Sequence, residues 1–284
     1  MKRKTLALLI FTASIFAATF FAGNIYIHRV NNSLLTVSFL DVGQGDAILI
    51  ESPTGRRVLI DSGSGRIILS ALSSTLPFFD KTIDLLIATH PDKDHIGGFS
   101  FVMERFKTKM LCETDIESSS GVDDYMREVR DKNNIEECHL HAGDEIDVGG
   151  GAILRILAPF ANMNSGETNE HSIVARLSYG DQSFLLTGDA PKDVEVRLTQ
   201  KYGNALKSTV LKLGHHGSHT STSPIFLFYV KPSVAIISAG KNNSYGHPHQ
   251  DVLERLVQFL IPARSTIERG TITFVTDGKT IEVK

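Results

Sequence analysis

Residues 83–98 constrain this chain more than any other stretch. A largely apolar run, residues 83–89, has the length and content of a buried strand. It opens into Thr89-His90-Pro91-Asp92-Lys93-Asp94-His95-Ile96-Gly97-Gly98, where four side chains able to bind a divalent cation fall within six residues. Proline holds the residue before it in an extended conformation, so the strand ends at His90 and the chain turns outward. Gly97 and Gly98 free the backbone before the helix that follows. A compact loop of this kind can offer His90 and Asp92 to one ion and Asp94 and His95 to a second. Imidazole nitrogens and carboxylate oxygens together suit Zn²⁺, Mn²⁺ or Fe²⁺. A plain solvated loop accounts for neither the apolar strand leading into it nor the paired glycines.

The rest of the chain can house such a loop. Its 284 residues are 42% hydrophobic and 21% charged, the balance of a globular protein with a substantial core. The formal net charge of −3 argues mildly against a strong nonspecific grip on nucleic acid, which normally needs a basic surface. Lys2, Arg3 and Lys4 precede an uncharged stretch, residues 5–27, long enough to span a bilayer with its basic flank in the cytoplasm. Phe16, Phe20 and Phe21 spoil the small-residue cleavage sites near Ala18 and Ala22, which favours an uncleaved membrane anchor over a signal peptide. Residues 1–30 are therefore expected to be an anchor or signal peptide, and residues 31–284 an extracytoplasmic domain. Outside the cytoplasm Cys112 and Cys138 could pair, although their spacing fits no zinc motif. Two half-buried thiols explain them equally well.

Hydrophobic periodicity predicts strands over residues 34–40, 47–51 and 57–60, then a helix over 67–76, the strand at 83–89, and helices over 99–106 and 123–132. Hairpins are expected at 145–157, 172–187 and 271–283. Between the last two lie a helix from Pro191 to about Tyr202, a strand at 209–213, a helix at 224–229, a strand at 234–238 and a helix at 250–259. This order fits an α/β architecture in which two mixed sheets pack face to face with helices outside, an αββα sandwich.

His-x-Asp-x-Asp-His resembles the metal loop of the metallo-β-lactamase superfamily, with Asp92 in place of the more common second histidine. The variant is similar to that of ComEC-type competence proteins and of phosphorylcholine esterases. Further segments support the resemblance in the same chain order. Phe39-Leu40-Asp41-Val42-Gly43-Gln44-Gly45-Asp46-Ala47 and Leu59-Ile60-Asp61-Ser62-Gly63 precede the metal loop. Leu186-Thr187-Gly188-Asp189-Ala190, Leu211-Lys212-Leu213-Gly214-His215-His216-Gly217-Ser218 and Tyr245-Gly246-His247-Pro248 follow it.

The resemblance implies two divalent ions, zinc or manganese. His90 and Asp92 would hold the first, Asp94 and His95 the second, with Asp189 bridging them. His215 would complete the second site, and His216 would lie near the substrate. Asp61 and Asp46 are expected behind the ligands. Many superfamily members carry another histidine where this chain has Thr168-Asn169-Glu170-His171-Ser172, so Asn169 and Ser172 are expected to stand beside a more loosely bound first ion. Ser218 is a candidate substrate contact, and Lys212 is expected to be a strand residue facing solvent. The implied activity is phosphodiester hydrolysis by hydroxide generated from water at the metals, with Asp94 and Asp189 orienting it and His247 protonating the leaving group. DNA is the expected substrate, with a separate DNA-uptake channel as a partner. A small-molecule esterase, phosphorylcholine-esterase-like or lactamase-like, and a non-catalytic metal-binding module are the alternatives.

Overall fold

The computed structural model describes residues 34–116, 118, 120–161 and 167–284, together with Ala13 and Ser14. The expected membrane segment therefore lies outside the described residues, apart from those two. Among the described residues, no helix is long and apolar enough to cross a membrane.

The first sheet opens with β1 (Leu35–Phe39), β2 (Ile48–Glu51) and β3 (Arg57–Ile60), an antiparallel meander. Helix α1 (Ile67–Thr75) then leads to β4 (Thr82–Ile87), which lies parallel to β3. The one-turn α2 (Lys93–Ile96) and α3 (Phe99–Arg105) return the chain to β5 (Lys107–Glu113). Helix α4 (Gly121–Lys132) does the same for β6 (Glu136–His139). A second sheet follows. β7 (Glu145–Gly149), β8 (Ala152–Ala158), β9 (Val174–Tyr179) and β10 (Gln182–Leu186) pair antiparallel. β11 (Val210–Lys212), β12 (Val234–Ile237) and β13 (Ala263–Ser265) then add in parallel through α5 (Lys192–Tyr202), α6 (Pro224–Val230) and α7 (Gln250–Gln258). After α8 (Thr266–Arg269), β14 (Ile272–Thr276) and β15 (Ile281–Val283) return to the first sheet, β14 beside β1. The strand orders are β15-β14-β1-β2-β3-β4-β5-β6 and β13-β12-β11-β10-β9-β8-β7.

Alternation along the strands explains the layering, since successive side chains point to opposite faces. Val37, Phe39, Ile48 and Ile50 turn inward and meet Leu177, Phe184 and Leu186 of the other sheet. Phe39 and Phe184 both set their rings edge-on to Phe274, at 5.9 and 5.8 Å. Leu49, Leu59 and Leu86 turn outward, where α1, α3 and α4 cover them with Ile68, Leu72, Phe99, Val102 and Met126. Leu185, Leu211 and Ala235 do the same beneath Val194, Leu198, Phe226 and Val252. Two sheets with three apolar layers give the expected αββα sandwich.

Strands β5, β6 and β13 do not appear in the sequence expectation. β5 begins Lys107-Thr108-Lys109 with alternate residues exposed, and β6 is a polar edge strand, so neither carries an apolar run. They add to a sheet already nucleated by β3 and β4. Cys112 lies directly opposite Cys138 across β5 and β6, 4.4 Å apart at Cα, and the two form a disulfide. Gly97 and Gly98 also serve differently than expected. Both have ordinary negative φ angles; a Cβ on Gly98 would collide with the Ser62 carbonyl and one on Gly97 with the Ser64 carbonyl. Close packing of the α2–α3 junction on the loop after β3 demands them.

Candidate metal centre

Loops at one rim of the sandwich bring distant residues together. Asp46 comes from the β1–β2 turn, Asp61 follows β3, and residues 90–95 follow β4. Asp189 follows β10, while His215 and His216 follow β11 in a 3-10 turn (Gly214–Gly217). The rim lies at the carboxyl ends of the parallel strands, where backbone groups leave the sheet and side chains can converge. Asp61, His215 and His216 all adopt positive φ, at 59°, 47° and 55°. Non-glycine residues rarely do so, and the strain is tolerated where surrounding contacts fix a functional geometry.

Three imidazoles share one design: Nδ1 is anchored and Nε2 points inward. His95 Nδ1 is 2.8 Å from Asp61 Oδ2. His90 Nδ1 is 3.0 Å from Thr89 Oγ1, whose hydroxyl in turn donates to Asp61 Oδ2 at 2.8 Å. His216 Nδ1 donates to the Ser238 carbonyl at 3.0 Å. Their inner nitrogens approach Asp189, with His95 Nε2 at 3.3 Å from Oδ1, His216 Nε2 at 3.5 Å from Oδ2 and His90 Nε2 at 4.0 Å from Oδ2. Asp94 Oδ2 is 3.4 Å from His216 Nε2. Possible ligand atoms of Asp46, His95, Asp189 and His216 all lie within 4.8 Å of one another.

His90 Nε2, His95 Nε2, His216 Nε2 and Asp189 Oδ1 are buried and make no hydrogen bond among the described residues. A buried polar atom left unsatisfied costs about 1–3 kcal/mol, so four such atoms aimed at one point are expensive unless a ligand satisfies them. A divalent cation does so, and anchored histidines with free inner nitrogens are the arrangement that orients metal ligands. The residues fit divalent metal binding.

The other expected site residues lie around this group. Asp92 accepts from Thr168 Oγ1 at 2.8 Å, and its other oxygen is 3.7 Å from His90 Nε2. Asn169 presents a buried Oδ1 with no hydrogen-bond partner among the described residues. Ser172 Oγ accepts from the Asp189 amide at 3.2 Å and so fixes the loop that carries the carboxylate. His215 Nε2 stands 3.7 Å from Asp189 Oδ2 on the more open side, with Nδ1 3.1 Å from Thr220 Oγ1. Ser218 Oγ accepts from that threonine hydroxyl at 3.0 Å, and so acts through Thr220. The sequence ranks His215 ahead of His216 as a ligand. The geometry brings Nε2 of both to Asp189, with His216 the deeper. The His247 ring is 5.3 Å from that of His215 and is held by Asn243, which accepts from the His247 amide and donates to its carbonyl.

Electrostatics follow from the crowding. Burial pushes the His90 imidazole down to about 3, and the neighbouring His95 adds to this. Burial also acts against protonation of His95 and His216, but Asp189 with Asp61 outweighs it for His95. Asp189 with Asp46 raises His216 to about 9. Asp189 itself is held well below the carboxylate range, with the penalty of burial overcome by His216 and His95. Burial and the nearby His215 and His216 push His247 down to about 4, leaving it a neutral imidazole near neutrality. A cation entering this cluster would displace protons from His95 and His216, the exchange expected of a histidine–carboxylate site.

Lys212 corrects the sequence expectation. It is fully buried, its ammonium bonded to Asp46 Oδ2 and, at 3.1 Å, to the Gly188 carbonyl. It therefore ties the Asp46 turn to the loop that presents Asp189. Position 212 ends a three-residue strand with no alternation to betray its direction. Thr89, Thr168 and Thr220 have no role in the sequence expectation; each shares a hydrogen bond with a site residue, His90, Asp92 and His215 in turn, but threonine is too common in loops to stand out.

Comparison with known proteins agrees with this geometry. ComE operon protein 3 of Bacillus subtilis (strain 168) is 32% identical over 96% of this chain and 37% of its own length. Recombination protein 2 of Haemophilus influenzae is 34% identical over 83% of this chain and 28% of its own length. The chain thus spans about a third of the length of these relatives. Among solved structures, the metallo-beta-lactamase fold protein YhfI from Bacillus subtilis superposes with a TM-score of 0.59 at 12% identity, covering 85% of this chain and all of YhfI, a likeness of fold alone. The sequence model of the metallo-beta-lactamase superfamily matches residues 40–241, which include Asp46, Asp61, the residue 90–95 loop, Asp189, His215 and His216. Sheet topology, site chemistry and sequence match converge: the chain belongs to the metallo-β-lactamase superfamily, in the branch that includes the metallo-β-lactamase domains of competence proteins.

Proposed function

We propose that this protein is a two-metal phosphodiesterase that cuts nucleic-acid strands on the outer side of the cytoplasmic membrane. The observation that carries the proposal is the convergence of three anchored imidazoles on Asp189, with Asp94 beside His216. The kinship with proteins named for competence and recombination supports the choice of substrate. His90, Asp92 and Asp189 would hold one zinc or manganese ion, with Asn169 beside it. Asp94, His95 and Asp189 would hold the second, with His215 or His216. Two such ions supply Lewis-acid polarisation of a phosphoryl oxygen and lower the pKa of water.

The chain's own groups do the rest. Asp94 and Asp189 accept hydrogen bonds from the attacking water and so orient it. Thr220, braced by Ser218, keeps the His215 ring in place. His247, as a neutral imidazole, can donate a hydrogen bond from its N–H to the departing oxygen, whose proton then comes from solvent. No side-chain nucleophile is needed. In this reading a membrane channel delivers the strand to the site.

Metal analysis of the purified full chain, followed by assays on single-stranded DNA, bis-p-nitrophenyl phosphate and nitrocefin, tests the proposal. Diester cleavage is expected, with Asp189→Asn losing bound metal and about a hundredfold or more in rate. Cleavage of nitrocefin with the diesters untouched, or full activity in Asp189→Asn, would overturn it.

A further inference from the structure

The metal centre occupies one end of the strands; the opposite end has a composition of its own. Leu34 leads into β1, whose Thr36 lies opposite Glu51 of β2, and Glu51 lies opposite Arg57 of β3. β4 and β5 begin beside one another at Thr82 and Lys107. The entry of the chain into the domain and the first residues of three parallel strands therefore share one edge. From this edge projects the turn Pro77-Phe78-Phe79-Asp80, between α1 and β4.

Phe78 and Phe79 are 82% and 93% exposed and stack edge-on at 5.1 Å. The turn is not loose. Asp80 pairs with Arg57 at 2.7 Å, and its amide donates to the Pro77 carbonyl. Lys81, Lys107 and Lys284 are exposed around it, while Asp80 and Glu51 are occupied by Arg57. Two large apolar rings exposed to water, with cations at their rim, are unfavourable in isolation and suit an interface between hydrocarbon and anionic headgroups. Leu34 and Asp80 line the same depression, so the chain enters beside this turn.

We infer that the Phe78-Phe79 turn is a membrane-docking element: the two rings insert at the boundary between headgroups and acyl chains of an anionic bilayer, and the neighbouring lysines face its phosphates. The inference rests on assigning residues 5–27 to the membrane. From Ile27 to Leu34 a chain reaches at most about 25 Å, so an anchor in the bilayer keeps this edge close to the surface. Docking would fix the orientation of the domain. β4 and the residues after it run from Thr82 to His90 at roughly 3.3 Å per residue, which would hold the metal centre about 25 Å above the headgroups and facing away from them.

The chain contains no tryptophan, so one substitution gives an unambiguous optical probe. Phe79→Trp in the full chain, reconstituted into phosphatidylcholine–phosphatidylglycerol vesicles, is expected to shift its emission to the blue. It should lose most of that emission when the lipids carry bromine on their acyl chains. Tyr125→Trp, on the outer face of α4, is expected to show neither change. A Phe78→Ser/Phe79→Ser double variant should stay in the vesicles through residues 5–27 while its domain becomes more accessible to protease. If the Phe79→Trp protein remains with the vesicles but its emission is neither shifted nor quenched, the inference is wrong and the turn faces water. A shift without bromine quenching would mean that the turn is covered by protein, a second copy of this chain, and would also overturn it. Failure of the full chain to partition with vesicles removes the anchor and the inference together. Diester hydrolysis, assayed on the same samples, reports separately on the proposed activity.

Discussion

At the scale of single residues, the centre works by fixing one ring nitrogen so that the other is presented. Asp61 is the hub. Its Oδ2 serves His95 directly and His90 through Thr89, while its Oδ1 accepts from the Thr89 amide at 2.8 Å. It touches no substrate, yet two inward-facing nitrogens depend on it. Asp61→Ala is therefore expected to weaken metal binding by about 10–100-fold while leaving the other carboxylates in place. Competition with a chromophoric chelator measures this, and an unchanged affinity would remove Asp61 from the positioning role. The positive φ angles at His215 and His216 belong to the same scale. Two adjacent residues are held in a strained conformation that directs both rings toward Asp189.

At the scale of elements, the site depends on close approach between loops. Asp46 is carried by a turn whose Gly45 has φ of 123°, and a Cβ there would collide with the Asp94 carbonyl that accepts from the Asp46 amide. Gly45→Ala should cost more than about 1 kcal/mol of stability and reduce metal content, because it pushes two ligand-bearing loops apart. Gly121→Ala, at open space in the first turn of α4, should leave both unchanged or gain a few tenths of a kcal/mol. Urea unfolding and metal analysis of the two variants discriminate between them. Pairing of β5 with β6 creates a different dependence. Glu113 is buried beside Glu137 and Asp123, and its carboxyl is raised to about 7 by burial and by Glu137, despite Arg127 at 2.9 Å. A raised carboxyl favours the folded state when protonated. Its contribution is therefore complete below the ordinary value near 4.5 and is lost as pH rises through about 7. Glu113→Gln should flatten the fall in urea midpoint between pH 5 and pH 8, and an equal fall in wild type and variant would contradict this assignment.

At the scale of the whole molecule, two sheets form the halves of one sandwich around a shared core, β14 and β15 from the end of the chain joining the first, and the metal centre spans their rim. His90 and His95 come from the first sheet, and Asp189, His215 and His216 from the second. Anything that separates the halves must therefore dissolve the site, and cation binding in turn clamps them together. The disulfide acts only within the first half. It joins β5 to the exposed edge strand β6 across 26 residues. Removing it with paired Cys112→Ala and Cys138→Ala substitutions should lower stability by about 3–4 kcal/mol through the freed unfolded chain. The metal affinity of the centre at the rim should not change, because neither strand carries one of its residues. Parallel denaturation and chelator titrations test both halves of this statement.

Local patterns made a good deal of this legible from sequence alone. The alternation in β1, the apolar runs of β2, β4 and β10 and the helical spacing of α1, α5 and α7 each encode their own conformation. The residue 90–95 loop declares its chemistry because four ligands stand within a few bonds of one another. Strands that borrow their order from a neighbour were not legible: β5, β6 and β13 are too polar or too short to be recognised before a sheet exists for them to join. Nor was the burial of Lys212, whose partner Asp46 lies 166 positions away in sequence. The choice between thiols and a disulfide for Cys112 and Cys138 likewise waited on strand register. Sequence fixes what neighbouring residues can do, because secondary structure is governed by contacts a few residues apart. Which distant carboxylate meets which imidazole, and whether an ammonium is solvated or enclosed, depends on how two sheets pack, and only the tertiary structure decides it.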